Sequence, residues 1–331
     1  MTYIPPLTHL RELLCAKSVA TDKVIDEIAD RFLTWTNPAV PPPQNWRNWK
    51  QVRDEWYSRE MCRAARCHRS GDPQGTLAHT KRAAQISMHT AEAFLLHTKA
   101  YRELYRDLIF RFEQFYADVD LLVLHLSCVK SLPRAQASCE TFKKKNVGNL
   151  IIFGGAERIV FSQQGTVGTL GINCPDSYEH LTDKIGETLS FLGSTRLAVP
   201  VIKVDDDISC KSTDRMVTLL GELRGVDYAG FANNPASVPQ IWHFGKCATD
   251  EVNYTPSGFP IFCPWADGRS YLLSAGAIDI LSKLVLVFDR FFKSQRSNED
   301  IAVGSLLFLC GIGVHDVDFV DAGIFEYTDA A

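Results

Sequence analysis

One segment decides the fold: Val201-Ile202-Lys203-Val204-Asp205-Asp206-Asp207-Ile208. Its first half has strand composition, and it runs directly into three consecutive carboxylates. Like charges this close repel by about a kcal/mol or more unless a cation lies between them. Because side chains alternate along a strand, Asp205 and Asp207 are expected on one side and Asp206 on the other. The pattern predicts either a Mg²⁺ or Mn²⁺ site or a solvated acidic turn.

Strands and helices alternate around this segment. Continuous apolar runs at 121–126 and 150–153 predict buried parallel strands, and 199–204 predicts the strand that precedes the acidic triplet. A helix is predicted over 178–192. The alternation predicts an α/β fold, a Rossmann-like mixed sheet flanked by helices. Ligands bind at the carboxyl ends of strands in such sheets, and the triplet lies at such an end.

Residues 1–116 have a different pattern. Apolar residues at helical spacing predict helices over 7–14, 24–35 and 77–116, with a stiff Pro41-Pro42-Pro43 connector and a turn at Gly71-Asp72-Pro73. The sequence therefore predicts an all-helical N-terminal region, residues 1–116, with an accessory or interaction role. The α/β region occupies residues 117–331.

Composition limits the function. A chain of 331 residues with 46% hydrophobic residues has room for a catalytic domain and a smaller appendage. Its net charge of −4 argues against nonspecific nucleic-acid binding. There is no apolar run of about 18 residues and no signal peptide, so a cytoplasmic protein is expected unless an anchor was removed. Peripheral membrane association stays open. Ten cysteines without a CxxC pair predict reduced thiols rather than disulfides.

Several motifs resemble, in the same order, those of the β-1,3-galactosyltransferase and β-1,3-N-acetylglucosaminyltransferase family. They are SLPRAQASCETF at 131–142, DSYEHLTDK at 176–184, KVDDD at 203–207, FPIF at 259–262 followed by GRSYLLS at 268–274, and NEDIAVG at 298–304. The resemblance covers about residues 121–331 and implies the GT-A fold. The first 115 or so residues share none of it.

The resemblance implies an inverting glycosyltransferase. Such an enzyme moves a hexose, galactose or N-acetylhexosamine, from a UDP-sugar to a hydroxyl of a glycan or glycolipid acceptor, forming a β-1,3 linkage. Asp205 and Asp207 are then expected to hold Mn²⁺ or Mg²⁺ at the leaving diphosphate. Asp206 is expected to hydrogen-bond the donor ribose or sugar.

The acidic pair near the C-terminus matches the family's base. Asp300 is expected to take the proton of the attacking hydroxyl, while Glu299 orients the acceptor or raises the pKa of its neighbour. The alternative is that both residues cap the helix that runs to Leu309, because acids are favoured at helix N-termini.

Other candidates lie around these two acidic segments. Arg134, Asp176 and Lys184 match positions on the donor side, where a cation offsets diphosphate charge. His315 is expected either to complete the metal shell or to lie in a surface loop. Cys139 replaces a basic residue, which puts one donor contact in doubt. The segment 242–247, WHFGKC, predicts either an acceptor-cleft wall or core packing.

Two competing functions stay open at this point. The first is a catalytically degenerate sugar-nucleotide-binding protein that acts through its helical N-terminal region. The second is a nucleotidyltransferase, which also uses paired aspartates and a divalent metal. The sequence lacks a phosphate-binding Gly-rich Lys motif of the P-loop kind.

Overall fold

The computed structural model describes residues 46–86, 91–234, 244–249 and 263–328. The helices predicted over 7–14 and 24–35 and the proline connector lie outside the described residues. So do Trp242, His243 and the segment 259–262.

The described chain alternates helices and strands after an initial run of helices. The helices are α1 (Trp46–Arg69), α2 (Pro73–Ile86), α3 (Ala91–Leu104), α4 (Arg106–Phe115), α5 (Leu132–Thr141), α6 (Leu181–Ser194), α7 (Thr213–Glu222), α8 (Ala275–Val287), α9 (Asp289–Ser294) and α10 (Glu299–Leu309). The strands are β1 (Leu121–Leu126), β2 (Val147–Phe153), β3 (Val160–Gln164), β4 (Val167–Gly171), β5 (Val201–Asp205), β6 (Ile208–Cys210), β7 (Tyr228–Asn233), β8 (Trp265–Leu273), β9 (His315–Asp316) and β10 (Phe325–Tyr327).

The helical stretch predicted over 77–116 is divided into separate helices. Tyr105 leaves helical geometry, with φ −110° and ψ 24°, and separates α3 from α4. The turn predicted before α2 is confirmed. Gly71 adopts a left-handed φ of 73°, and Asp72 Oδ1 accepts a 2.9 Å hydrogen bond from the Gly75 amide in the first turn of α2.

An eight-stranded mixed sheet forms the centre of the fold, in the order β3-β4-β2-β1-β5-β8-β7-β9. The four strands β4, β2, β1 and β5 are parallel neighbours. Strand β8 runs antiparallel to both β5 and β7, and β3 runs antiparallel to β4. The predicted α/β class and mixed sheet are therefore confirmed.

Both faces of the sheet are covered. In β1, Leu122, Leu124 and Leu126 pack into a large core shared with α6 and α8, whereas Leu121 and Val123 face a smaller core on the opposite side. This two-sided burial explains the uninterrupted apolar run of β1.

The N-terminal helices share the larger core. The ring of Phe112 in α4 lies edge-on to Phe161 of β3 at 5.2 Å and to Phe191 of α6 at 5.0 Å. The boundary predicted at residue 116 therefore does not separate two hydrophobic cores. Within the described segments, every helix is too short or too polar to cross a membrane.

Candidate functional site

The carboxyl ends of three parallel strands meet at one edge of the sheet. Leu126 of β1 is paired with Asp205 of β5 on one side and with Ile152 of β2 on the other. The residues that follow these strands, including Ser127 and Asp206, therefore lie together. The acidic triplet is thus at the edge where ligands bind in α/β sheets.

Asp206 points toward β1 and α5. Its side chain accepts a 2.7 Å hydrogen bond from Ser127 Oγ and forms an ion pair with Arg134. Asp206 is buried, while the Arg134 side chain is 42% exposed. Arg134, the cation predicted for the donor site, therefore neutralises Asp206, the middle carboxylate of the triplet, and is still in contact with solvent.

Asp205 has a different partner, which agrees with the predicted alternation of side chains. Its Oδ1 lies 2.6 Å from Lys203 Nζ, and the same ammonium lies 2.9 Å from Glu299 Oε1. Lys203 also donates to the backbone oxygen of Gly268 in β8. The lysine is 2% exposed. One buried cation therefore connects the triplet to the acidic pair.

The charged groups of this cluster shift one another's pKa values. Burial would lower the pKa of Lys203, but Asp205 and Glu299 raise it overall because they stabilise the ammonium. Desolvation raises the pKa of Asp205, and the negative charges of Glu299 and Asp207 add to this effect against the opposing charge of Lys203. The cluster thus holds an excess of carboxylates over cations.

Asp300 lies in the first turn of α10, beside this cluster, and is partly exposed. Trp265 Nε1 donates to its Oδ2 at 3.2 Å, and the Ile301 amide donates to its Oδ1 at 2.8 Å. A Cβ atom on Gly268 would lie 3.3 Å from Asp300 Oδ2, so the glycine permits the close approach of β8. Burial and the charge of Glu299 raise the pKa of Asp300 well above its usual value.

The helix-capping alternative is only partly compatible with this geometry. Glu299 directs its carboxylate to Lys203 rather than to the helix backbone. Asn298, the N-cap residue, makes no side-chain capping bond. Asp300 accepts one backbone amide of the first turn. The pair therefore belongs to the site as well as to the helix end.

Asp176 and Lys184 connect the loops behind the triplet. Lys184 is 1% exposed, with its Nζ 2.7 Å from Asp176 Oδ1 and 3.0 Å from the backbone oxygen of Ser127. Asp176 also accepts from the amides of Val129 and Gly154, at 2.6 and 2.9 Å. Burial opposes ionisation of Asp176, but these donors lower its pKa overall. In this structure the two residues position the loops after β1 and β2.

His315 lies away from the acidic triplet. It is exposed on β9, where it pairs with Ala229 of β7, and β8 and β7 separate β9 from β5. Three strand spacings amount to about 14 Å. The structure therefore does not bring His315 together with the acidic triplet.

Cys139 and Arg269 both make contacts within the fold. Cys139 is fully buried with Ala135 and Ile151 under the sheet, and burial raises the pKa of its thiol to about 12. It is a core residue rather than a donor contact. Arg269 donates to Asp267 Oδ1 at 2.7 Å and to the Tyr327 hydroxyl at 3.2 Å.

A short loop borders the acidic cluster. Glu179 Oε1 accepts hydrogen bonds from the amides of Ala248 and Thr249, at 2.6 and 3.2 Å. This places Lys246 Nζ 5.3 Å from the centre of the Tyr178 ring. Burial raises the pKa of Tyr178, and the negative charges of Glu299, Asp205 and Asp300 raise it further.

Sequence reasoning missed Lys203, Tyr178, Glu179 and Ser127 as members of the site. Lys203 could have been identified from the sequence, because a lysine between Ile202 and Val204 in a buried strand requires a carboxylate partner. The others carried no such signal. Their positions depend on which loops meet.

Asp205 and Asp207 are carboxylates of the kind that a hard cation binds together with oxygens of its substrate. In the described parts of the chain, no group of three or more His, Cys, Asp or Glu side chains is placed to hold a metal ion. Asp205 and Asp207 offer carboxylate oxygens, and Mg²⁺ usually binds one or two carboxylates together with substrate phosphates and water. The residues therefore fit such an ion only if the ligand supplies the remaining oxygens.

Comparisons with known proteins add little to this geometry. No protein-family model matches the chain, and no curated protein matches it. Among solved structures, the chain is similar to the crystal structure of HddC from Yersinia pseudotuberculosis. The TM-score is 0.25 and the identity 11%, over 48% of this chain and 78% of that chain. A superposition at this level does not establish a shared fold.

Proposed function

We propose that this chain is a metal-dependent inverting glycosyltransferase with a GT-A-type fold. It moves a hexose, galactose or N-acetylhexosamine, from a UDP-sugar to a hydroxyl of a glycan or glycolipid acceptor, forming a β-1,3 linkage. The observation that carries the proposal is the Lys203 bridge, which holds Asp205 and Glu299 in one cluster. Transfer requires a leaving-group site and a base site on either side of one sugar carbon.

The donor side is assigned to the carboxyl end of β5. Asp205 and Asp207 are the residues that would hold Mn²⁺ or Mg²⁺, with the diphosphate and water as further ligands. When bound, the metal stabilises the negative charge that develops on the leaving diphosphate. Asp206, oriented by Ser127 and Arg134, is assigned to a hydroxyl of the donor ribose or sugar.

Asp300 is assigned the role of base. As the acceptor oxygen forms its bond to the anomeric carbon, the bond from that carbon to the diphosphate breaks, and Asp300 accepts the hydroxyl proton. Its raised pKa makes it a stronger base than an ordinary aspartate. Trp265 and the Ile301 amide fix the carboxylate, so its orientation is set before substrate binds.

A second candidate is a sugar-nucleotide-binding protein without transfer activity. It is favoured by one observation: Lys203 and Arg134 already neutralise two of the three carboxylates in the triplet. Neutralised carboxylates attract a divalent cation less strongly. In this case the site binds a nucleotide sugar but does not turn it over.

Transfer assays on Asp300→Asn test the proposal. The wild-type chain is incubated with UDP-galactose, UDP-N-acetylglucosamine or UDP-N-acetylgalactosamine, Mn²⁺ and a panel of glycans, and UDP release and product are measured. Loss of a general base should lower the rate by about 10²–10⁴-fold while UDP binding is retained. Asp321→Asn, at an exposed carboxylate outside the cluster, should transfer at the wild-type rate.

The other outcomes separate the candidates. An unchanged rate in Asp300→Asn would remove this residue from the base role. Nucleotide binding without turnover in the wild type would support the second candidate. Absence of binding to any UDP-sugar would reject both.

A further inference from the structure

A groove lies on the helical side of the molecule. It has a volume of about 670 Å³ and runs between α3 and α4, bordered by the end of α6 and the middle of α8. We name it the α3–α4 groove. Its residues Gly193 and Arg196 precede β5, whereas the acidic triplet follows β5, so the groove and the candidate active site lie at opposite ends of that strand.

Two large apolar side chains project from the walls of this groove. Leu95 of α3 is 70% exposed and Phe110 of α4 is 61% exposed. Within the described segments these are the most exposed large apolar side chains. Their sequence neighbours Phe94 and Ile109 also line the groove and are buried. Exposed apolar anchors on two adjacent helices mark a binding surface rather than scattered surface residues.

The acidic residues of the groove are already engaged. Glu113 Oε1 accepts the Arg196 amide at 2.6 Å, and Asp279 Oδ2 lies 2.7 Å from Lys283 Nζ. Glu103 Oε2 lies 3.6 Å from His68 Nδ1. The groove is lined by these three carboxylates and by five basic side chains, Lys99, Arg102, Arg106, Arg196 and Lys283, so positive charge is in excess.

The cations of the groove are less compensated. The ammonium of Lys99 and the guanidinium groups of Arg106 and Arg196 are exposed, and none forms an ion pair with another described residue. Positive charge beside apolar anchors is complementary to a ligand that is both acidic and amphipathic. The shape of the groove favours a helix over a membrane as the ligand. A concave channel between two helices accepts a third helix, whereas a bilayer surface is flat.

We propose that the α3–α4 groove binds an acidic amphipathic helix of a partner protein. Apolar residues at i, i+3 or i+4, and i+7 of that helix pack on Leu95 and Phe110. Its carboxylates pair with Lys99, Arg106 and Arg196. Because this surface and the acidic cluster lie at opposite ends of β5, partner and substrate bind without competing for space.

Selection from a peptide library tests this proposal on the full-length chain. A display library of 18-residue helix-forming peptides is enriched for binders, and affinities are measured by fluorescence anisotropy. Enriched peptides should carry net negative charge and the stated apolar spacing, and should bind more weakly as salt is raised. Phe110→Ser and Arg106→Glu should each weaken binding by about tenfold or more.

Matched control variants distinguish binding at the α3–α4 groove from nonspecific binding to exposed side chains. Phe308→Ser, at an aromatic side chain that is 45% exposed on α10, and Arg224→Glu, at an exposed arginine after α7, should leave peptide affinity unchanged. All four substitutions are at exposed positions, so their melting temperatures should match that of the wild type.

Four outcomes would overturn the proposal. The first is that no acidic amphipathic peptide is enriched, and the second is that enriched peptides bind Phe110→Ser as tightly as the wild type. The third is that no peptide binds, whereas phosphatidylserine-containing vesicles bind the wild type and not Phe110→Ser. The occupant of the groove would then be a membrane. The fourth is a concentration-dependent dimer, seen by sedimentation, that Phe110→Ser dissociates.

Discussion

Lys203 Nζ lies 2.9 Å from Glu299 Oε1, and the two side chains are only 2% and 5% exposed. The lysine belongs to the central strand β5 and the glutamate to the first turn of α10. This buried ion pair, shared with Asp205, aligns the acidic triplet with the acidic pair. Buried charges require partners, so each residue of the bridge limits where the others can lie.

The first prediction concerns the bridge itself. Lys203→Met removes the cation between two carboxylates and should lower the free energy of unfolding by about 3–5 kcal/mol, because Glu299 is left buried and unpaired. Urea unfolding at neutral pH measures the change. The matched control is Lys211→Met, whose pair with Glu326 is 48% exposed on both sides and should cost less than about 1 kcal/mol. Equal losses in the two variants would contradict the structural role of Lys203.

The second prediction concerns pH and Asp300. The pKa of Asp300 is raised in the folded state, so the folded chain retains this proton at pH values where the unfolded chain has lost it. The stability that this proton provides is complete below about pH 3.9, the unfolded value, and is lost as pH rises toward the folded pKa. Asp300→Asn has no carboxyl to ionise and so avoids this loss of stability. Its free energy of unfolding should therefore exceed that of the wild type at neutral pH.

Urea unfolding from pH 4 to pH 8 checks this relationship. The advantage of Asp300→Asn should grow as pH rises. Asp214→Asn is the control, because the pKa of Asp214 shifts in the opposite direction. A hydrogen bond and the charge of Lys144 lower it. That variant should gain nothing at neutral pH. A pH-independent difference between Asp300→Asn and the wild type would show that the carboxyl does not titrate with a raised pKa.

The third prediction concerns the proposed metal and donor site. UDP with Mn²⁺ should raise the melting temperature of the wild type, since a ligand at 100 times its Kd stabilises the folded state by about 2.7 kcal/mol. Asp207→Ala should lose this shift. Asp321→Ala, an exposed control, should keep it. A shift that persists in Asp207→Ala would place the nucleotide elsewhere.

The fourth prediction concerns the approach of β8 to the base. Gly268→Ala adds a Cβ atom 3.3 Å from Asp300 Oδ2, which forces the carboxylate to move by a few tenths of an ångström. Transfer should slow by about tenfold in kcat with little change in the donor KM, because misplacing a reacting group by about 1 Å costs about 10²-fold. Gly276→Ala, whose added atom would meet its nearest neighbours at 3.5 and 3.6 Å, should transfer normally.

Much of the fold follows from local pattern. The apolar run of β1 predicted a strand buried on both faces, and the segment 199–204 predicted β5 close to its observed bounds. The position of the triplet at the carboxyl edge followed from the order of strands and helices. Local pattern did not reveal that β8 runs antiparallel between β5 and β7, because strand pairing depends on packing between distant segments.

The sequence by itself determined the α/β class, the strand that ends in Asp205–Asp207, and the separation of Asp205 from Asp206 by the alternation of a strand. These follow from periodicity, which acts over a few residues. Only the tertiary structure decided that Lys203 joins Asp205 to Glu299, that Arg134 holds Asp206, and that His315 lies three strands away. Ion pairing is set by through-space distance and burial, and both depend on how the strands and helices assemble.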